Sequence, residues 1–221
     1  MDFNHDTFLN KLAQTTDSPY LISIERAEGI YLYSPDGKRY TDLISGIGVN
    51  NIGHRHPHVV QAIKEQLDKH LHVMVYGEYV QSTPNQLAKK LTSLLPKSLN
   101  CCYFVNSGTE ANEGALKLAK RFTGRTEMIA CRKSYHGSTH GSLSVSGNEV
   151  KKQAFRPLLP DVKFITFNNE EDLQYITTTT ACLIIETKCY TCLVISLQCF
   201  HHSGIFSYLL AGRHKAKGKM V

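Results

Sequence analysis

From residue 101 to residue 186, short apolar runs alternate with segments of helical period, and this alternation most narrows the folds open to the chain. "CCYFV" (101–105) reads as a strand of the buried type. A helix follows over 109–122, then a strand in "EMIACR" (127–132) and a loop carrying three glycines. "VKFITF" (162–167) reads as a strand, "NEEDLQYI" as a short helix and "ACLIIE" (181–186) as a further strand. Strands alternating with helices predict an α/β fold on an open, mostly parallel sheet.

The N-terminal part has a different organisation. Residues 1–28 predict a weak helix and a lead-in. Ile30–Tyr33 and Lys38–Asp42 flank Ser34-Pro35-Asp36-Gly37, whose turn chemistry predicts a hairpin. "SGIGVNNIGHRHP" is a Gly-rich loop, and Pro57 opens a helix at the position that tolerates proline best. Val60, Ile63, Leu67 and Leu71 continue it at helical spacing. A second helix from near Pro84 aligns Leu87, Leu91 and Leu94. The expected divisions are an N-terminal segment (1–70), a partial cofactor-binding α/β domain (71–187) and an anomalous tail (188–221).

The net charge of +6 suggests nucleic-acid binding until its location is considered. After Glu186 there is no acidic residue, but Lys188, Arg213, Lys215, Lys217 and Lys219 are basic; the remainder has 20 basic against 19 acidic groups. The body is nearly neutral and only the tail is basic, so no nucleic-acid partner is expected. Seven cysteines, an odd number, without a Lys/Arg-led apolar N-terminus do not form a disulfide framework and point to the cytoplasm.

The junction "VNSGTE" is the candidate site. A helix N-terminus at the carboxyl end of a strand offers free N–H groups and about half a positive charge. Ser107, Gly108 and Thr109 lie there, with Gly108 permitting close backbone approach, and the chemistry suits a phosphate dianion. It is neither a Walker loop nor a dinucleotide fingerprint. The residues also fit a simpler account: Ser107-x-x-Glu110 is a capping box that needs no ligand. Likewise Tyr135 fits a plain core aromatic, and Glu110 and Glu113 fit the dipole of the helix they begin. His54, His56 and His58 alternate as strand ligands would, but Pro57 breaks the strand, so no metal is assigned.

"NSGTEANEGALKLAK", followed by "SYHGSTHGSLSVSG" and preceded by "YLYSPDGKRYTDLISGIGVNNIGHRHPHVVQAIKEQ", resembles the class III aminotransferases, pyridoxal-phosphate enzymes that include those acting on ornithine, acetylornithine and 4-aminobutyrate. The resemblance covers roughly residues 18–187. It implies fold type I, here part of the open sheet plus a segment of the small domain. It implies that Ser107, Gly108 and Thr109 bind the cofactor phosphate, and that Tyr135 lies over the pyridine ring, a stacking contact of ~1 kcal/mol beyond burial. His136 and Gly137 complete that turn, and Glu186 matches the first Glu of the family's Glu-Pro-x-x-Gly-Glu segment.

The family's activity also needs a lysine that holds the cofactor covalently and an Asp, in an Asp-Glu-x-x-x-Gly segment, that keeps the pyridine nitrogen protonated. Neither segment occurs in these 221 residues, and none of Lys215, Lys217 and Lys219 is assigned as catalytic. "LIIET" runs into "KCYTCLVISL", as a shift of reading frame or a truncated gene would produce. The expectation is therefore a truncated aminotransferase, inactive alone, that binds pyridoxal 5'-phosphate non-covalently at best. The small-molecule partners would be an amino donor and a 2-oxo acid. The alternative is a non-catalytic dimer partner or modulator of a full-length relative, as a homodimer or heterodimer. The tail is too interrupted for a membrane anchor of ~20 residues, and Cys189-x-x-Cys192 with Cys199 and His201 lacks a second well-spaced pair for zinc. No Gly-x-Ser-x-Gly elbow supports a hydrolase.

Overall fold

The computed structural model describes residues 3–74, 77–189, 192–201 and 204–209, with side chains through 185. The chain forms two units, Met1–Tyr79 and Val80–Val221.

In the first unit, α1 (His5–Lys11) is capped by the Asn4 side chain, which accepts from the backbone of Asp6 and Thr7. The predicted hairpin is β2 (Tyr31–Tyr33) and β3 (Arg39–Thr41), and a third strand, β1 (Arg26–Glu28), joins it in antiparallel order β1-β2-β3. Arg26 pairs with Tyr33 across the strands and lays its guanidinium 3.5 Å from the ring centre. The Gly-rich loop holds one distorted turn, α2 (Ser45–Gly48). Pro57 is the first residue of α3 (Pro57–Leu67), which ends before Leu71.

The second unit begins with α4 (Ser82–Leu94). It continues through α5 (Gly108–Thr123), β4 (Glu127–Cys131), α6 (His140–Val145), α7 (Glu149–Lys152), β5 (Val162–Ile165) and β6 (Thr180–Cys189). A 3-10 turn over Glu170–Tyr175 takes the place expected for a short helix. The sheet order is β5-β4-β6-β7-β8, with β7 spanning Cys192–His201 and β8 Gly204–Leu209. β5, β4 and β6 are parallel, as the alternating pattern requires; β7 and β8 add antiparallel ladders at one side.

Both faces of the parallel strands are covered, which is why β4 and β6 read as continuous apolar runs. Met128, Ala130, Cys182 and Ile184 pack with Leu116 and Ala119 of α5 and Val145 of α6. Ile129, Cys131, Leu183 and Ile165 form the opposite layer. The period of two along each strand divides the residues between the layers.

Two expectations are corrected. Residues 101–105 are not a strand, because no described strand pairs with them, and Tyr103 and Phe104 are exposed. The Gly-containing loop after β4 holds a helix, α6, supported by α5.

Candidate functional site

α5 and the segment after β4 meet at one end of the parallel strands. Ser107 caps α5 with extended backbone, and its Oγ accepts the Glu110 N–H at 3.2 Å. Glu110 reaches back with its carboxylate to the Asn106 N–H at 2.8 Å, one residue before the reciprocal partner of a standard capping box. The helix ends on Gly124 in the left-handed conformation. The expected cap is therefore real, yet it leaves donors over. Among the described residues, no partner takes the N–H of Gly108 or Thr109, and a Cβ at Gly108 would meet nothing within 4 Å. The α5 start thus forms a cradle of backbone N–H donors left open among the described residues.

The turn at 135–137 lies against this cradle. Gly137 has φ +127°, and a Cβ there would collide with the Thr109 hydroxyl. Thr109 Oγ1 is 2.7 Å from Thr139 Oγ1 and accepts the Thr139 N–H at 3.3 Å. Ser142 Oγ donates to the Thr109 carbonyl at 3.0 Å. Tyr135 is 57% exposed, with its hydroxyl 3.2 Å from Ser138 Oγ and the Lys151 ammonium 5.4 Å from its ring centre. It is not a core aromatic; its ring is available to a planar ligand.

His136 faces the interior. It is 2% exposed, and neither ring nitrogen has a partner among the described residues. Burial pushes its imidazole down to about 4, so it is neutral at neutral pH. Its backbone N–H donates to Ser146 Oγ at 2.9 Å, and its carbonyl accepts Asn112 Nδ2 at 2.5 Å. His136 thus fastens the turn from beneath while Tyr135 stays open.

Glu186 lies on β6 two residues beyond Ile184, which pairs with Ala130 of β4. Its side chain lies outside the described residues, as do those of Cys189, Cys192, Cys199 and His201; Lys215, Lys217 and Lys219 lie outside entirely. Among the described residues no group of His, Cys, Asp and Glu could hold a metal ion; His54 instead sits 2.6 Å from Asp42. Residues that sequence reasoning passed over are Asn112, Thr139, Ser142 and Ser146. On sequence alone Glu113 reads only as a helix-dipole residue. Each acts through a contact distant in sequence.

The model of the family described as Aminotransferase class-III matches residues 12–191. The chain is 41% identical over 167 residues to the acetylornithine aminotransferase of Archaeoglobus fulgidus, covering 75% of this chain and 43% of that protein. It is 39% identical over 155 residues to the acetylornithine aminotransferase of Bacillus cereus, covering 70% of this chain and 39% of that protein. Among solved structures it resembles the adenosylmethionine-8-amino-7-oxononanoate aminotransferase of Methanocaldococcus jannaschii, at 30% identity and a TM-score of 0.72, over 80% of this chain and 44% of that one. It also resembles the taurine:2-oxoglutarate aminotransferase of Bifidobacterium kashiwanohense in complex with PLP and glutamate, at 28% identity and a TM-score of 0.69, over 82% and 46%. The fold is that of the fold type I transferases, and the chain belongs to the class III aminotransferases. It spans less than half the length of these relatives.

Proposed function

We propose that this chain forms the phosphate- and ring-binding part of a pyridoxal-phosphate site, serving transfer of an amino group from an amino donor to a 2-oxo acid. The observation that carries the reading is the pair of N–H groups at Gly108 and Thr109, without partners among the described residues, beside the exposed Tyr135 ring. The donor set fits the cofactor: helix N–H groups and the Ser107 hydroxyl suit a phosphate, and an exposed aromatic face suits a pyridine. When bound, pyridoxal phosphate supplies the electron sink for the carbon that carries the amino group.

In this reading Ser107, Gly108 and Thr109 bind the phosphate, Tyr135 orients the ring, and His136 and Gly137 hold the turn that carries Tyr135. Glu186 lies at the same end of the strands and belongs to the site by position in the family pattern. No lysine of this chain is assigned to covalent attachment, so binding is non-covalent and the chain alone does not transaminate. A cytoplasmic setting accords with the described cysteines Cys101, Cys102 and Cys131, which remain free thiols. No helix among the described residues is long and apolar enough to cross a membrane. Pairing with a second copy or a longer relative belongs to the same reading.

Titration of the chain with pyridoxal phosphate and with pyridoxal, followed by tyrosine fluorescence, tests it. The phosphate should improve affinity at least tenfold. Gly108→Ala should weaken binding at least tenfold without lowering the melting temperature, since the added Cβ meets only open space. Equal affinity for the two ligands would sink the phosphate cradle. Borohydride treatment that fixes one cofactor on one defined lysine would sink the non-covalent reading.

A further inference from the structure

We infer that Glu113 is a positioning residue of this site: its carboxylate clamps the start of α6 to α5 and sets the direction of the hydrogen bonds that fix Thr109. The inference rests on the cofactor reading for its consequence and on the ligand-free chain for its geometry.

Glu113 stands on the second turn of α5. Its Oε1 accepts the Thr139 hydroxyl at 2.5 Å and the Ser142 N–H at 2.9 Å. Thr139 is the N-cap of α6, yet its own side chain makes no capping bond. The Ser142 N–H is one of the orphan donors at that helix start, and Glu113 satisfies it from the neighbouring helix. Gly141 accounts for the closeness of the approach, because a Cβ there would collide with the Glu113 carboxylate.

The proton directions follow. An ionised carboxylate only accepts, so Thr139 donates its hydroxyl hydrogen to Glu113. In the 2.7 Å pair of hydroxyls, Thr109 is then the donor to Thr139. The Thr109 hydroxyl hydrogen is committed within the protein, and Thr109 offers an anionic ligand its backbone N–H. Glu113 thereby fixes the Thr109 rotamer and the spacing between the cradle and the 135–137 turn without touching the ligand.

Glutamine at 113 can accept both bonds through its carbonyl oxygen; alanine accepts neither. The test is amide exchange over residues 135–146 of the full chain without ligand, together with the pyridoxal-phosphate titration. Glu113→Ala should exchange at Thr139 and Ser142 at least tenfold faster and bind the cofactor at least tenfold more weakly. Glu113→Gln should stay within about threefold of wild type in both. If Glu113→Ala does not fold, Thr139→Val, which removes the hydroxyl link and leaves the Ser142 bond, should speed exchange at 139 and spare 142. Unchanged exchange in Glu113→Ala overturns the clamp whether or not cofactor binds. Equal weakening by Gln and Ala overturns the hydrogen-bond role in favour of the carboxylate's charge. A wild-type chain that binds no pyridoxal phosphate overturns the cofactor reading alone, because the exchange result decides the clamp independently.

Discussion

Asn112 Nδ2 donates to the carbonyl oxygen of His136 at 2.5 Å, so a buried amide of α5 holds the backbone of the turn that presents Tyr135. Asn112→Ala leaves that buried carbonyl without its donor, which costs about 1–3 kcal/mol. Asn112→Asp is worse, because it sets a buried carboxylate against a carbonyl. Urea denaturation should rank the chains wild type, Ala, Asp in falling stability. An Asp variant as stable as wild type would refute the assignment.

His136 makes stability depend on pH. Its folded-state value lies at about 4, below the usual 6.5. The unfolded chain therefore takes up a proton near pH 6.5 that the folded chain refuses. Stability is fully present above pH 6.5 and falls as pH drops toward 4, by on the order of 3 kcal/mol. Denaturation midpoints between pH 7.5 and 4.5 should slope for wild type and flatten for His136→Gln.

A second acid-sensitive group lies on β4. Burial alone would raise the Glu127 carboxyl, but the Lys163 ammonium at 2.5 Å and the Thr180 hydroxyl at 2.6 Å outweigh it and hold the value below normal. Its contribution is present above the ordinary glutamate range and is lost as pH falls below about 4.5. Thr180→Val should destabilise the chain by about 1–2 kcal/mol at pH 7. That loss should shrink below pH 4; a loss independent of pH would place the effect in packing instead.

Lys152 is 2% exposed, with its ammonium 3.1 Å from the Ser144 carbonyl and 3.3 Å from Glu149. It lines a pocket of about 260 Å³ with Phe164 and Leu159. Glu149 is well exposed and also pairs with Arg156, so removing the lysine strands no buried charge. Lys152→Met should cost about 1–3 kcal/mol, because the Ser144 carbonyl loses this donor. Lys152→Ala should cost about 2 kcal/mol more through the enlarged cavity. Thermal melts separate the two, and equal effects would contradict the cavity argument.

What the sequence revealed, and what it hid, divides by the range of the contacts. The Ser107 cap and Pro57 start were legible because each acts within one helical turn. β4 and β6 were legible because burial on both faces leaves a continuous apolar run. The same criterion misread 101–105: hydrophobicity cannot say whether a neighbouring strand is present to accept a ladder. α6 was hidden because His140–Val145 contains Gly141 and two serines, all modest helix formers. Its support comes from Glu113, 29 residues before Ser142, and no local pattern announces such a partner.

The Glu113–Gly141 approach has a consequence for how this sequence can vary. The two positions are not free to drift separately: with glutamate at 113, any side chain at 141 meets a carboxylate already seated on the helix start. A change at 141 becomes admissible only after 113 shortens or withdraws. Shortening first gives up the bond to Ser142 before any benefit appears at 141. Position 141 is thus tied to the seating of the Glu113 carboxylate, and a side chain there is admitted only where that carboxylate leaves the Ser142 N–H.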